Sequence, residues 1–426
     1  MTVTRALYSL IILPLLYLLF HVGKFVNAKV RRGVEGRAGL FTRLPEQAAK
    51  LTGTQRLWFH ASSLGEFEQA KPIIAAVKER HPSTEIIATF FSPSGYDNSK
   101  NYKLASLISY LPFDTAANMQ RFVDITRPTA AIILRYDVWP NMVWTLHDRS
   151  IPVLIVNATM TARSPRLSAV ARGFHRRLYD LFSAILTVSA ADAAAFALFG
   201  TSTPLIAPVG DTRFDQVKRR SDDARMKQIL PPAVTAGRKV FIVGQSWGED
   251  ESVLLPVLFK LQTEEPSLIT IIVPHEPTVE HLDDLESALE GRCRSIRFSE
   301  MGRYAGEPVI LIDSIGILVA LYQYAHVVYV GGSFRQGVHN VLEPAVFGAP
   351  VLFGPRHTNS QEAVELARLG GAFVVTGERS AYRTLRTLLD DAPQRAKAGE
   401  TARTFVAANC GATDRFLLHL QPLLER

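Results

Sequence analysis

The sequence predicts an α/β protein with an N-terminal membrane segment followed by two doubly wound domains, each built on a parallel sheet. Three observations support this fold class. Short apolar runs alternate with amphipathic helices along most of the chain, a polar Pro-containing stretch at 218–239 divides the alternation into two series, and an uncharged segment stands at the amino terminus. Strand–helix alternation at this spacing is typical of parallel sheets covered by helices.

The amino-terminal segment Ala6–Gly23 is uncharged and close to the length that spans a bilayer as a helix. Arg5 precedes it, whereas a basic cluster follows it: Lys24, Lys29, Arg31, Arg32, Arg37 and Arg43. This asymmetry predicts an anchor over residues 1–24 in the inner membrane, spanning it or lying in it, with the rest of the chain on the cytoplasmic face. The alternative is a signal peptide cleaved near Ala28, which the basic cluster disfavours.

Ten apolar runs, five in each series, are predicted as strands. They are Leu57–Phe59, Glu85–Phe90, Ala130–Leu134, Val153–Asn157 and Ile185–Ser189, then Val240–Val243, Ile269–Val273, Val309–Leu311, Val327–Val330 and Val351–Phe353. We place the boundary in the polar stretch, so that residues 25–217 form a first Rossmann-like domain and residues 218–426 a second. Two such domains predict a ligand cleft between them, and the last helix is free to pack back on the first domain.

Composition narrows the function classes. The chain has 426 residues, of which 47% are hydrophobic and 20% charged, and this describes an ordered globular protein. Only two cysteines, Cys293 and Cys410, exclude a disulfide framework and favour a reducing compartment. A net charge of +7 favours an anionic partner. Nucleic acid is not expected, since the chain has no zinc finger, RNA-binding aromatic signature or long basic tract.

The stretch HASSLGEFEQAKPI (60–73) follows a predicted strand and raises the question of what Glu66 does. Ser63 and Glu66 have the spacing of a capping box, in which each side chain accepts from the other's backbone N–H. Alternatively, a carboxylate at the end of a strand is placed to act as a base, with Glu68 and Asp137 as substitutes. Gly65 and Pro72 favour the second interpretation, because both residues disfavour a helix interior.

The stretch Val327–Pro355 is predicted to form a strand, a Gly-Gly-Ser turn, a loop containing His339, a helix and a further strand. Glycines 331 and 332 would let backbone N–H groups approach an anion. We expect the helix to begin near Asn340 and its N-terminus to favour a phosphate. Asn340 and Glu343 also have capping-box spacing, so a purely structural role stays open here.

Eight motifs in order resemble the transferases of 3-deoxy-D-manno-octulosonic acid (Kdo), which are inverting glycosyltransferases of the GT-B fold in lipopolysaccharide assembly. They are GVEGRAG (33–39), WFHASSLGE (58–66), YDVWPN (136–141), NATMTARS (157–164), GDTRFD (210–215), QSWGEDES (245–252), VPHEP (273–277) and GGSFRQGVHNVLEP (331–344). The resemblance runs from the membrane segment nearly to the carboxyl end.

The resemblance implies transfer of Kdo from CMP-Kdo to a lipid A precursor at the membrane, without a metal ion or other cofactor. It makes Glu66 the catalytic base and assigns donor binding to Arg213, Ser246, His275, Gly332, Ser333, Asn340 and Glu343. Acceptor-side candidates are Ser63, Gly65, Asp137 and Arg163. The structural alternatives are a salt bridge of Arg213 with Asp211 or Asp215 and a turn role for His275.

Two positions depart from the pattern of many family members. Leu134-Arg135-Tyr136-Asp137 replaces Met-Glu-x-Glu, so that the first carboxylate is absent and Asp137 stands for the second. Val338 replaces the second glycine of Gly-Gly-His-Asn.

Two other functions stay open at this point. The first is another GT-B enzyme, either a UDP-sugar transferase or an epimerase, and an epimerase would not need a membrane segment. The second is a membrane-anchored nucleotide-binding protein without catalysis, which the absence of a base would favour.

Overall fold

The computed structural model describes residues 3–425. The chain divides into two compact units. Unit 1 comprises the chain up to Gln216 together with the segment from Cys410 onward, and unit 2 comprises Val217–Asn409. Each unit is built on one seven-stranded sheet whose neighbouring strands are all parallel. The predicted fold class, two doubly wound α/β sheets with an N-terminal apolar helix, is confirmed.

The sheet of unit 1 has the order β3-β2-β1-β4-β5-β6-β7. Its strands are β1 (Arg56–Ala61), β2 (Glu85–Phe90), β3 (Leu107–Tyr110), β4 (Ala130–Leu134), β5 (Val153–Ala158), β6 (Ala184–Thr187) and β7 (Leu205–Pro208). The chain runs outward from β1 to β3 and then returns to β4 on the other side of β1. In open parallel sheets, ligands bind outside the carboxyl ends of the strands at this kind of switch point.

Helices cover the sheet of unit 1. They are α1 (Val3–Leu7), a π-helical turn (Tyr8–Ile12), α2 (Leu13–Gly23), α3 (Ala28–Gly36), α4 (Leu40–Ala48), α5 (Leu64–Arg80), α6 (Pro93–Ser99), α7 (Ala116–Thr126), α8 (Pro140–Asp148), a 3₁₀ turn (Pro165–Leu167), α9 (Arg172–Tyr179), α10 (Ala190–Ala197) and α11 (Thr212–Arg225), which contains the boundary. The last helix of the chain, α20 (Ala412–Leu424), buries Phe416 and Leu420 in the core of unit 1.

The sheet of unit 2 has the order β10-β11-β9-β8-β12-β13-β14, with its switch point between β8 and β12. The strands are β8 (Lys239–Ser246), β9 (Leu268–Pro274), β10 (Ser295–Arg297), β11 (Val309–Leu311), β12 (Val327–Val330), β13 (Val351–Phe353) and β14 (Ala372–Val374). The helices are α12 (Pro232–Thr235), α13 (Gly248–Glu264), α14 (Val279–Leu289), α15 (Leu318–Leu321), α16 (Leu342–Ala345), α17 (Gln361–Leu369), α18 (Glu378–Asp390) and α19 (Ala392–Asn409), with 3₁₀ turns at Phe298–Arg303 and Tyr322–Tyr324.

All ten predicted strands are present, with ends shifted by at most three residues. Four strands were not predicted: β3, β7, β10 and β14. These four strands are the edges of the two sheets. The central strands are buried along nearly their whole length, whereas β7 has no buried residue.

The N-terminal helix lies along unit 1 with one face and exposes the other. Thr4–Gly23 has a mean hydropathy of 2.0 and, by length and composition, could cross a membrane. Tyr8 and Leu13 nevertheless belong to the buried core of unit 1, and the Tyr8 hydroxyl donates to Asp114 over 2.9 Å. The opposite face is apolar and exposed at Leu10, Ile11, Leu15, Leu18, Leu19 and Val22. The segment therefore supplies core residues to unit 1 although it adds no strand to the sheet.

Candidate functional site

Two carboxylates meet at the switch point of the unit 1 sheet. Glu66 lies in the first turn of α5, three residues after that helix's N-cap, and Asp137 lies in the loop after β4. The strands that lead to them, β1 and β4, are hydrogen-bonded neighbours, with His60 opposite Ile133. Adjacent parallel strands end at the same edge of a sheet, so both acids are held there by the fold.

Glu66 is 7% exposed, and its Oε2 accepts a hydrogen bond of 2.5 Å from the Ser62 N–H. The capping box considered from the sequence does not form, because the Ser63 side chain makes no cap and Glu66 turns to Ser62 instead. Burial raises the pKa of Glu66 above its ordinary 4.5, the Ser62 N–H opposes this rise, and the nearby charge of Asp137 adds to it. A carboxylate with a raised pKa is a better proton acceptor.

Asp137 is held by His60, a residue that the sequence analysis did not single out. His60 is buried on β1, and its Nε2 lies 3.0 Å from Asp137 Oδ2. Because a carboxylate only accepts, Nε2 carries the proton, and Nδ1 faces the Thr89 hydroxyl at 2.9 Å. Burial alone would raise the pKa of Asp137, but the interactions with His60, together with hydrogen bonds from Trp139 and Ser62, lower that pKa. A lone histidine inside the apolar run Leu57–Ala61 was the available signal.

Helix α5 is fixed by a buried amide–hydroxyl network that the sequence analysis also missed. Asn157 Nδ2 donates to Gln69 Oε1 at 3.0 Å and to Thr212 Oγ1 at 2.6 Å, and the Thr212 hydroxyl donates to the Gln69 carbonyl at 2.6 Å. Pro72 was expected to disfavour a helix interior, yet α5 runs through it from Leu64 to Arg80. Packing against the core outweighs the intrinsic cost of the proline, because Pro72 is buried with its neighbours.

The space in front of Gly65 is open. A Cβ added to Gly65 would meet no atom within 4 Å, and the residue is exposed beside the buried Glu66. Ser63 precedes it as the extended N-cap of α5. A ligand atom could therefore approach the backbone of this first turn directly.

Three arginines lie in the loops after β4 and β5. Arg135, directly after β4, has a φ of 62°, and its guanidinium lies 5.8 Å from the Tyr136 ring centre. Arg166 lies 5.7 Å from the same centre and donates to the Tyr136 carbonyl and the Tyr179 hydroxyl. Arg163 is exposed in the loop after β5. The charge of Arg135 acts to lower the pKa of Glu66, so this cation lies close enough to influence the acid.

Arg213, predicted to contact the donor, forms the salt bridge considered as its structural alternative. Its Nε and a terminal nitrogen lie 2.8 and 2.7 Å from Asp211 Oδ2, and its backbone N–H donates to Asp211 Oδ1. Asp215 instead accepts from the N–H groups of Gly411 and Thr413. The ion pair orients the Arg213 side chain at the start of α11.

The switch point of unit 2 is organised by Asp250, in the first turn of α13. Its carboxylate accepts from the Trp247 N–H at 3.0 Å, the Tyr329 hydroxyl at 2.7 Å and the Gly332 N–H at 2.8 Å. One side chain thus joins the loop after β8 to the loop after β12. Asp250 was not identified from the sequence, although it lies within the QSWGEDES motif.

Gly331 and Gly332 are required by close packing. A Cβ on Gly331 would lie 2.1 Å from the Gln245 carbonyl oxygen, and one on Gly332 would lie 2.5 Å from the Gly337 carbonyl oxygen. The Gly331 N–H donates to the Gly244 carbonyl, and the Gly332 N–H donates to Asp250. These two N–H groups are therefore engaged within the protein, contrary to the expectation that they face an anion.

Three rings stack beside this turn. His275 lies 4.6 Å from Trp247 and 4.5 Å from His339, measured between ring centres. The Trp247 indole N–H donates to His339 Nε2 at 3.0 Å, so Nε2 is unprotonated. Burial, reinforced by His275, lowers the pKa of His339. His275 thus belongs to an aromatic cluster, and its backbone N–H donates to the Ser246 carbonyl.

The remaining predicted donor residues pack within unit 2. Ser246 is buried and donates to Glu251 at 2.6 Å, and the buried Ser333 hydroxyl accepts from the Gly354 N–H.

The helix expected near Asn340 is only the four-residue α16, Leu342–Ala345, and it is followed by a turn in which Gly348 has a φ of 80°. Asn340 accepts from the Leu342 N–H, whereas Glu343 pairs with Arg220 at 3.1 Å, so no capping box joins Asn340 and Glu343. Because α16 has only four residues, the phosphate site at its start stays a prediction.

Among residues 3–425, no group of three or more His, Cys, Asp or Glu side chains is arranged to hold a metal ion.

Comparison with known proteins agrees with this geometry. Residues 32–216 match the family model of 3-deoxy-D-manno-octulosonic-acid transferase. A 3-deoxy-D-manno-octulosonic acid transferase of Haemophilus influenzae is 26% identical over 87% of this chain and 88% of its own. The corresponding protein of Bordetella pertussis is 26% identical over 91% of this chain and 90% of its own.

Among solved structures, UDP-GlcNAc 2-epimerase from Neisseria meningitidis bound to UDP-GlcNAc is similar with a TM-score of 0.61. It shares 13% identity and covers 87% of this chain and 100% of its own. At that identity the likeness establishes the fold alone.

The two parallel seven-stranded sheets and this structural likeness define the GT-B fold. The match of residues 32–216 and the relatives along most of the chain point to one family. The chain is thus similar to the Kdo transferases, a family of glycosyltransferases.

Proposed function

We propose that this protein transfers Kdo from CMP-Kdo to a hydroxyl of a lipid A precursor, with inversion at the anomeric carbon. The observation that carries the proposal is the pair of acids at the switch point of unit 1, in a chain related to Kdo transferases. A direct displacement needs a base for the attacking hydroxyl and stabilisation of the departing phosphate.

Glu66 is the proposed base. The acceptor hydroxyl attacks the anomeric carbon of Kdo, its oxygen forms the new bond, its proton passes to Glu66, and the bond to the CMP phosphate breaks with the electron pair leaving on CMP. The open space in front of Gly65 gives the acceptor a route to the carboxylate. His60 holds Asp137 beside the base, and the resulting negative charge raises the proton affinity of Glu66.

The donor nucleotide is proposed to bind unit 2 at its switch point. The stacked rings of Trp247, His275 and His339 offer an aromatic surface for it. Gly332, Ser333, Asn340 and Glu343 shape the adjoining turn, and Ser246 supports it from β8. Because the N–H of Gly332 is engaged by Asp250, we expect this glycine to contribute little to binding of the phosphate. Arg213 remains a proposed donor-binding residue on the strength of the family resemblance.

Asp137, Ser63 and Arg163 remain the proposed acceptor-side residues, with Gly65 providing access. Arg135 and Arg166, which flank Tyr136, are additional candidates for binding an anionic group of the acceptor. Such a role would give Arg135 a function although it replaces a carboxylate found in many family members.

The proposed location is the cytoplasmic face of the inner membrane. The exposed apolar face of Thr4–Gly23 supports membrane association, and the basic residues after it would favour anionic headgroups. One helix face docked on unit 1 and the other exposed favours a helix lying in the interface over one that spans the bilayer.

The test is to incubate the purified full-length protein with CMP-Kdo and a lipid A precursor, and to analyse the lipid by mass spectrometry. A product heavier by one or more Kdo residues is expected, together with released CMP. Absence of both under conditions in which the protein binds CMP-Kdo would contradict the proposal.

A UDP-sugar enzyme is the second candidate, favoured only by the likeness of the fold to an epimerase. Replacing CMP-Kdo with UDP-GlcNAc in the same assay distinguishes the two. Epimerisation or transfer with UDP-GlcNAc, and none with CMP-Kdo, would decide for this alternative.

A further inference from the structure

Unit 1 contains an apolar cavity of about 230 Å³ between the N-terminal helix, α3 and the loop after β2. Phe20, Phe91 and Phe113 form its aromatic walls, and Val30, Gly33 and Val34 form the side contributed by α3. Small-molecule sites commonly measure about 300–1,000 Å³ and contain several polar groups. This cavity is smaller and lined by apolar surface, so it suits part of a hydrocarbon chain.

One side chain, Arg37, connects the segments that surround the cavity. The Arg37 guanidinium donates to the carbonyls of Gly33, Phe91 and Leu111 at 2.6, 2.7 and 2.8 Å. It also lies 4.5 Å from the Phe91 ring centre and 5.1 Å from that of Phe113. Burial lowers the pKa of Arg37 to about 10, so it stays charged at neutral pH. These bonds join the end of α3 to the loop after β2 and to the loop after β3, so the cavity is preformed.

The cavity is continuous with the apolar surface of the N-terminal helix. Phe20 reaches it from α2 and packs edge-on against Phe91 at 5.4 Å between ring centres. The same helix exposes Leu15, Leu19 and Val22. A chain that leaves the cavity along this helix would remain against apolar side chains.

The cavity shares a loop with the acid cluster. Phe91 and Ser92 line it, and the Ser92 N–H donates to the Ser62 carbonyl at 2.9 Å. Ser62 is the residue whose own N–H binds Glu66. Phe91 also stacks on Trp139, two residues after Asp137, at 4.7 Å between ring centres. A ligand with a chain in the cavity would therefore have its polar part close to Glu66.

The rim of the cavity is basic. Lys29 lines it, and Arg32, which is exposed and lies 4.0 Å from Asp97, follows on the same helix. A hydrocarbon chain joined to an anionic head would place its head near these cations. This combination favours an amphiphile with an acyl chain over an apolar peptide.

We propose that this cavity binds one acyl chain of the lipid acceptor and thereby positions the sugar for attack at the Glu66 site. The inference rests on the proposed transfer to a lipid. It predicts that an acylated acceptor binds more tightly than the same acceptor after deacylation, because only the acylated one places a chain in this cavity.

Val30→Phe fills the cavity, and Val26→Phe is the matched control. Val26 is 87% exposed and lies outside the cavity lining, so the control adds the same apolar surface without occupying the cavity. Initial rates are measured with an acylated lipid A precursor and with the same phosphorylated disaccharide after deacylation. Thermal melting of each variant checks folding.

We expect Val30→Phe to raise KM for the acylated acceptor by about tenfold, the effect of excluding about two methylene groups. KM for the deacylated acceptor should stay within about twofold of the wild type, and Val26→Phe should change neither value. An equal effect of Val30→Phe on both acceptors, with normal melting, would refute the acyl-chain site. Failure of the wild type to modify either acceptor would instead refute the proposed function.

Photo-crosslinking provides a second measurement that does not depend on the substitution. An acceptor carrying a diazirine in one acyl chain is irradiated with the wild-type protein, and the labelled peptides are identified by mass spectrometry. Labels on the peptides that contain Phe20 or Phe91 are expected. Labelling confined to the exposed face of Thr4–Gly23 would contradict binding in the cavity.

Discussion

Replacing Glu66 with glutamine separates its structural from its chemical role. The amide keeps the length of the side chain and an oxygen that can accept from the Ser62 N–H, the one hydrogen bond that Glu66 makes to the loop before α5. A negative charge in the first turn stabilises a helix by about 0.3–1 kcal/mol, and the substitution removes this charge. It also removes the cost of burying that charge. We therefore expect the free energy of unfolding to change by less than about 1 kcal/mol.

The effect on turnover should be much larger. An amide has no useful proton affinity, so loss of general-base catalysis should lower turnover by about 10²–10⁴-fold. Since each tenfold change corresponds to about 1.36 kcal/mol of activation free energy, this is a rise of about 3–5 kcal/mol in the barrier. The barrier thus rises several times more than stability can fall. Binding of CMP-Kdo should be unaffected, because the proposed donor residues are elsewhere.

The assay combines turnover with CMP-Kdo and acceptor at saturation, the Kd for CMP-Kdo, and thermal melting. Glu68→Gln is the matched control, since Glu68 lies two residues later on the same helix and pairs with Lys71 and Gln216. This control should retain turnover within about threefold. If Glu66→Gln also stays within a few-fold of the wild type, neither glutamate is the base, and Asp137 must be tested in that role.

Four further predictions follow from particular contacts. Because the pKa of Glu66 is raised, turnover should fall with decreasing pH at values above its ordinary 4.5. Asp137→Asn removes a negative charge near Glu66 and should therefore move this acid limb of the pH–rate profile to lower pH. If the limb does not move, a group other than Glu66 is responsible for it. Gly65→Ala should stabilise α5 by about 0.5–1 kcal/mol and yet lower turnover, because its methyl group enters the open space beside Glu66; unchanged kinetics in the stabilised variant would show that the acceptor does not approach there. Turnover should survive EDTA, and its complete loss with recovery only on addition of Mg²⁺ or Mn²⁺ would contradict a metal-independent reaction. Tyr8→Phe should lower the free energy of unfolding by about 1–2 kcal/mol, since it removes the hydrogen bond that Tyr8 donates to the buried Asp114, whose pKa burial raises to about 7. Tyr17→Phe, at an exposed position, is the control and should have little effect in the same thermal unfolding measurement.

The candidate site was predictable from sequence only in part. The position of Glu66 after a strand, and of Asp137 after another, follows from the alternation of elements. That they meet depends on the return of the chain from β3 to β4, which makes β4 the neighbour of β1. The bond from His60 to Asp137 and the network around Asn157 join residues distant along the chain, and no local pattern predicts such pairs.

Glycine motifs show the same limit at single positions. Gly331 and Gly332 were expected to let an anion approach, but the groups that lie against them are the Gln245 and Gly337 carbonyls of the protein itself. A glycine pattern states that a Cβ cannot be accommodated. It does not state which atom occupies the space, because that depends on how β8 and β12 are brought together.

The sequence by itself determined the central strands of both sheets and their division into two series. Each of these ten strands is covered on both faces, so its sequence is a nearly continuous apolar run. The four edge strands β3, β7, β10 and β14 were decided only by the tertiary structure. They are three or four residues long and carry polar or exposed positions, as in Ser295–Arg297 and Leu205–Pro208. Pairing with one neighbour supplies the hydrogen bonds that make such segments strands, and that neighbour is known only once the sheet has formed.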